Sequence, residues 1–309
     1  MATAISELAV AKNARLMQRA TYASLTVAVI LIVAKTIAWG MTESVSVLSS
    51  LLDSLLDAVA SAVNLFAVRQ ALVPADREHR FGHGKAEPLA GLAQAAFITG
   101  SAVLLLLQAA RRLHDPPPIA SSGVGIGVMV FSIVMTAVLV TYQRHVVHVT
   151  GSVAIRADRL HYAGDAVLNG SVIVSLILSG WFGFVHADPI FGIGVGLYIL
   201  ISALRIGRQS LDLLMDRELP DDQRARIREI ALVHPEVKSV HDLRTRSAGL
   251  DIFIQLHIEM DPQMTLRRAH EVSDAVEREI RAAFPNAEVM IHQDPEGIEE
   301  PRQVFPKKA

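Results

Sequence analysis

The sequence predicts a membrane protein: an all-α, six-helix transmembrane domain followed by a small cytoplasmic α+β domain of order α-β-β-α-β. Three observations predict it. The chain is 51% hydrophobic and only 19% charged, against the ~25% charge of an average soluble domain. The deficit is uneven, with long apolar runs up to about Met215 and dense charge beyond it. The runs also match the ~20 residues a helix needs to cross a bilayer. The expected divisions are a cytoplasmic N-terminal segment at 1–15, the membrane domain at 16–215, a soluble domain at 216–295 and a loose tail at 296–309.

Six apolar windows carry the helices, in order Leu16–Trp39, Val45–Leu72, Leu89–Leu113, Val124–Tyr142, Ser152–Phe182 and Pro189–Met215. The second and fifth contain ionisable residues and score worst on hydropathy. The other windows lack a polar face, which argues against a soluble bundle. Near the span ends, Lys12, Arg15, Arg19, Arg69, Arg77, Arg80, Lys85, Arg144, Arg156, Arg159, Arg205 and Arg208 fall on one side, and only Arg111 and Arg112 on the other. This asymmetry places both termini in the cytoplasm, with the two stray arginines snorkelling to the headgroups. The polar start MATAISELAVAKNARLMQRA lacks an apolar core followed by a small-residue cleavage site, so no removable signal peptide is expected. The glycine clusters GVGIG (123–127) and GIGVG (192–196) lie in apolar runs with no preceding strand, so close helix packing is expected rather than a nucleotide loop.

Beyond Met215, ELPDDQRARIREIALVHP predicts a helix opened by acidic residues, with Ile227, Ile230 and Val233 as its apolar stripe. Two strands joined at Ser247–Ala248–Gly249 follow. In the second, Ile252, Ile254, Leu256 and Ile258 alternate with Asp251, Phe253, Gln255 and His257. A helix over Thr265–Phe284 places Leu266, Ala269, Val272, Val276, Ile280 and Ala283 on one stripe, and AEVMIHQ is a third strand. The sheet is expected to have one helix-covered face and one open face.

Asp53 and Asp57 stand four apart in the second window, as do His161 and Asp165 in the fifth. Residues at this spacing share a helix face, so each pair offers two ligands on one side. If the two helices face each other, the four side chains form a one-nitrogen, three-oxygen site. Ionised groups at mid-membrane face a cavity or a partner and mark a pathway. Zinc and cadmium accept such mixed tetrahedral sites, whereas Mg²⁺ and Ca²⁺ favour all-oxygen shells and manganese leans the same way. Ferrous iron, cobalt and nickel stay open. These ligands must lose protons to bind a cation, so metal and protons compete at one site. Asp76, His79 and His83 are three further potential ligands within eight residues, beside the turn-permitting Gly82 and Gly84.

The absence of cysteine excludes disulfides and thiolate metal sites. A net charge of −2 gives no general attraction to nucleic acid. No HExxH motif is present, which argues against a membrane metalloprotease; no enzyme activity and no organic cofactor are expected.

DSLLD, PADREHRFGHGKAEPLA, HYAGD and VMIHQDP, in this order and spacing, resemble the cation diffusion facilitator family, in particular its bacterial zinc and ferrous-iron efflux branch, from about Leu16 to Pro295. The resemblance implies a homodimer in the cell's inner membrane, with six membrane helices per subunit, a metallochaperone-like cytoplasmic domain, and metal/proton antiport by alternating access. It implies a transport site at Asp53, Asp57, His161 and Asp165, and a loop site at Asp76, His79 and His83. It also implies a binuclear cytoplasmic site at His241, His257, His270, His292 and Asp294, with Gln293 as a further side-chain donor. Strand parity sends His257, His292 and Asp294 to the open sheet face. The resemblance further implies a charge interlock between Lys85 and Asp216 at the dimer hinge. Zn²⁺ is the expected substrate and a regulatory ion, with Cd²⁺ or Fe²⁺ as variants. The competing expectation is a metal sensor or scaffold that does not transport.

Overall fold

The computed structural model describes residues 2–43, 45–114, 123–182, 184 and 186–297. The tail expected at 296–309 lies, from residue 298, outside the described residues. The chain divides into two compact units. One covers Lys12–Leu214, and the main body of the other begins at Met215.

The membrane unit is built from α1 (Ala2–Thr42), α2 (Val45–Ala71), α3 (Ala86–His114), α4 (Gly123–Thr150), α5 (Val153–Phe182) and α6 (Ala187–Leu214). Every predicted window is a helix. The ends differ where helix geometry outlasts the apolar run. α1 extends back to Ala2, and α4 continues through QRHVVHVT, because backbone hydrogen bonding does not stop where hydropathy does. Among the described residues, α1 to α4 and α6 are long and apolar enough to cross a bilayer. α5 is also long enough, at 30 residues, or ~45 Å at the rise of an α-helix. Its first half carries Arg156, Asp158, Arg159, His161 and Asp165. Packing explains how these are tolerated. Val153, Ala157 and Leu160 of α5 form one core with Ala95 and Ile98 of α3 and Ile199 and Ala203 of α6. Tyr162 joins a second core with Val27 and Leu31 of α1 and Leu139 of α4. The first half of α5 is thus wrapped by neighbours, while side chains such as Val59, Phe66, Val138 and Tyr198 on the other helices, and Val167 and Val174 further along α5, are exposed, an apolar surface suited to lipid.

Small residues permit close approach. A Cβ on Gly196 of α6 would meet Leu106 of α3 at 2.9 Å, and one on Gly192 would meet Ala109 at 3.3 Å, the packing expected of GIGVG. In the other cluster, Gly127 faces open space. Arg112 does more than snorkel: its Nη1 donates to Asp188 Oδ2 at 2.9 Å, tying the end of α3 to the start of α6.

The soluble unit follows the expected order: α7 (Asp221–Val233), β1 (Ser239–Ala248), β2 (Asp251–Met260), α8 (Leu266–Ala283) and β3 (Ala287–Pro295). β2 is central, antiparallel to β1 and parallel to β3. Gly249, at φ 64°, makes the β1–β2 turn, a conformation that suits glycine. Ile227, Ile230 and Ala231 of α7 and Val272, Val276 and Ile280 of α8 pack with Ile254, Leu256 and Ile258, so both helices cover one sheet face. Three stripe members are corrected. Val233, Leu266 and Ala283 are exposed, since each is a terminal residue of its helix, and Ala231 takes the inward position in α7. Thr265 caps α8, its side chain accepting from Arg268 N.

Candidate metal centres

In the membrane unit, α2 presents Asp57 and α5 presents His161 and Asp165 to a common point. His161 Nε2 lies 2.8 Å from Asp57 Oδ1 and 3.8 Å from Asp165 Oδ2. One ligand atom from each of the three lies within 4.8 Å of the others. Ligands ~2.1 Å from a tetrahedral zinc ion stand about 3.4 Å apart, so small rotamer changes would suffice. Asp165 Oδ2 is buried and accepts no hydrogen bond, an oxygen that a cation would satisfy. Asp53 stands outside this group of three but lines the same cavity of about 340 Å³, one helical turn from Asp57. The proton between His161 Nε2 and Asp57 Oδ1 has to leave before either atom can bind a metal.

Two features around the cluster escaped the sequence reading. Lys35 of α1 is buried and lines the same cavity. Asp158, three residues before His161 on α5, is buried in a polar network. It accepts from Ser24 Oγ of α1, from Gln143 Nε2 of α4 at 2.7 Å and from Gln94 Nε2 of α3 at 3.2 Å. Neighbouring Tyr162 adds a 2.8 Å hydrogen bond to Ser61 of α2. A lone Lys or Asp in an apolar window carries no spacing signal, although the sequence does place Asp158 on the same α5 face as His161.

The loop after α2 gathers Asp76, His79 and His83 as expected. Asp76 Oδ1 accepts the backbone N–H groups of Glu78 and His79 at 2.9 and 2.7 Å, an Asx-type turn, and Gly82 closes the loop at φ 76°. His79 Nδ1 is 3.3 Å from Asp76 Oδ1 and His83 Nε2 is 3.5 Å from Asp76 Oδ2. The N–H groups of His79 and Glu78 hold the Asp76 carboxyl below the usual carboxylate range, which keeps it anionic and available.

The soluble unit builds its cluster by strand register. His241 of β1 sits opposite His257 of β2, which sits opposite His292 of β3, so three imidazoles form a row across the face away from the helices. Asp294 is the hub. Its Oδ2 is hydrogen-bonded to His257 Nδ1 at 2.9 Å and lies 3.1 Å from His241 Nε2, and its Oδ1 lies 3.1 Å from His292 Nε2. One ligand atom each from His241, His257 and Asp294 lies within 4.8 Å of the others. Glu259 lies 3.4 Å from His241 Nδ1, and Asp242 lies 3.8 Å from His257 Nε2. Both were missed by the sequence reading. Asp242 reaches the cluster through an irregularity in the β1–β2 register after His241, where its φ is 44°. The Arg244 guanidinium beside it holds its carboxyl below the usual range. His270 is not brought to this row. It lies on α8, across the sheet from the histidine face, with Nε2 3.6 Å from Asp274. Gln293 Nε2 donates to Ser273 of α8, also on the helix side. Lys85 Nζ donates to Leu214 O at 3.3 Å, and Asp216 Oδ2 lies 3.4 Å from Arg246.

Known sequences agree with this architecture. The cation efflux transmembrane domain family matches residues 21–215, and the family described as cation efflux protein, cytoplasmic domain, matches residues 219–296. The chain therefore belongs to the cation efflux family, a family of multi-pass membrane proteins that move metal cations. Among particular relatives, the cation-efflux pump FieF of Yersinia enterocolitica is 49% identical over 285 residues, covering 92% of this chain and 95% of that one. The FieF pump of Serratia proteamaculans is 50% identical over 282 residues, covering 91% and 94%. The metal-bound C-terminal domain of the CzcD transporter from Thermotoga maritima is a solved structure 31% identical to this chain, covering 26% of this chain and 93% of that one at a TM-score of 0.25.

Proposed function

We propose that this chain is a zinc/proton antiporter that exports metal from the cytoplasm by alternating access, with Cd²⁺ or Fe²⁺ as alternative substrates. The observation that carries the reading is the convergence of one imidazole and two carboxylates, Asp57, His161 and Asp165, on a membrane cavity that Asp53 also lines. The chemistry follows from the donors. Cation arrival displaces the proton shared by His161 and Asp57, and carboxylates left without the metal take protons back in turn. Opening the cavity alternately to the two sides then couples outward metal to inward protons.

The protein is proposed to work as a homodimer in the inner membrane with both termini in the cytoplasm. Lys85 and Asp216 are assigned to the dimer hinge. Asp76, His79 and His83 form an accessory loop site. His241, His257, His292 and Asp294, with His270 from the family's ligand set, are assigned to a regulatory site that reports cytoplasmic metal. The formation of that histidine row also supports a second reading, a membrane metal sensor or scaffold.

Flux in proteoliposomes carrying an internal pH probe separates the two. Zinc movement with opposing proton movement is expected, abolished in Asp57→Ala and reduced less severely in Asp53→Ala. Zinc flux at the wild-type rate in Asp57→Ala would sink the site assignment. Flux without a pH change would sink antiport, and no flux at all would favour the sensor.

A further inference from the structure

Lys35 lies within α1, between Val33 and Ile37, which are exposed on the apolar surface, and is itself only 7% exposed. Its Nζ donates to Ser54 Oγ at 2.6 Å and to Ser50 O at 3.1 Å. Both acceptors belong to α2 and flank Asp53 in sequence. Neither is charged, and a buried ammonium is strongly unfavourable without an opposite charge nearby. The ionisable groups that share its cavity are Asp53, Asp57, Asp165 and His161. Three ionised carboxylates lining one cavity repel one another. One fixed ammonium lowers the total from three negative charges to two, the charge that a single divalent cation cancels.

We propose that Lys35 is a tethered counter-cation of the membrane site, matching the cavity's net charge to a divalent ion and setting how tightly that ion is held. The proposal rests on the transport reading above. Replacing Lys35 by a neutral residue leaves the loaded site with a negative charge in excess. Metal then binds more tightly and leaves more slowly. Arginine keeps the charge and N–H donors. Glutamine keeps a hydrogen-bond donor for Ser54 without the charge, so it separates an electrostatic role from a structural one.

The test is calorimetric titration of Zn²⁺ into the full-length protein in detergent, reading only the binding component that Asp57→Ala abolishes, together with zinc flux in proteoliposomes. Lys35→Met and Lys35→Gln are expected to tighten that component by about tenfold or more and to slow turnover, while Lys35→Arg stays near wild type. Unchanged or weaker binding in Lys35→Met, or wild-type behaviour in Lys35→Gln, overturns the proposal. An Asp57-dependent component that ignores Lys35 removes this proposal alone. The absence of any such component in the wild type removes the transport site and the proposal with it.

Discussion

Glu236, just beyond α7, receives Arg268 Nε of α8 at 3.1 Å and its Nη2 on the other carboxylate oxygen, a two-pronged pair. The Arg268 hydrogen bonds hold the Glu236 carboxyl below the usual glutamate range. The sign follows: a depressed carboxyl stabilises the fold above its unfolded pKa, and the contribution is lost as pH falls through the folded value. Glu236→Gln should therefore lower the protection of β2 amides against hydrogen exchange at about pH 7, with the difference closing as pH falls below the ordinary glutamate range. Because the pair is solvated, the effect is small. A gap that persists in acid would point to packing instead of charge. At this same scale, His257, His292 and Asp294 were legible because strand alternation assigns a face to each residue. Lys35, Asp242 and Glu259 were not. A single lysine in an apolar run looks like an isolated interruption, and Asp242 reaches its place only through a bulge that no alternation rule anticipates.

At the scale of elements, helix identity was legible because ~20 apolar residues in succession have few other uses. The boundaries were not, as the polar end of α4 shows. α5 was legible as a helix although its first half is rich in charge. Its i, i+4 ligand pair and the apolar run after Asp165 announced it, and its neighbours bury what hydropathy penalises. Gly91 tests this packing. A Cβ there would come within 2.8 Å of Ser210 Oγ on α6 and 3.0 Å of Val153 Cγ1 on α5. Overpacking of this kind costs about 1–3 kcal/mol. Gly91→Val should lower the thermal midpoint of the detergent-solubilised protein measurably, and Gly91→Ala less. Equal midpoints for all three would mean that α3, α5 and α6 are more loosely joined than described.

At the scale of the whole molecule, the predicted orientation can be read directly because the chain has no cysteine. Arg80 and His114 are both exposed and flank α3 at opposite ends. In intact cells a membrane-impermeant maleimide is expected to label His114→Cys, whereas Arg80→Cys should react only after permeabilisation. The reverse pattern would invert the topology. The division into a helical membrane domain and an α-β-β-α-β domain was legible from the drop in hydropathy after Met215. The pairing of α2 with α5 came from the family resemblance alone, since spacing within a helix says nothing about which helix it faces.

The Asp158 network gives this molecule a pivot. Ser24, Gln94 and Gln143 fasten α1, α3 and α4 to α5 at one depth. His161 lies three residues from that depth and Phe182 lies twenty-four, or ~4.5 Å and ~36 Å along the helix. A rigid tilt of α5 about that point would displace its far end about eight times as far as His161, in the ratio of those distances. Of the groups that meet in the membrane cavity, His161 is the one nearest that fixed point along α5, so it is the ligand such a tilt would move least.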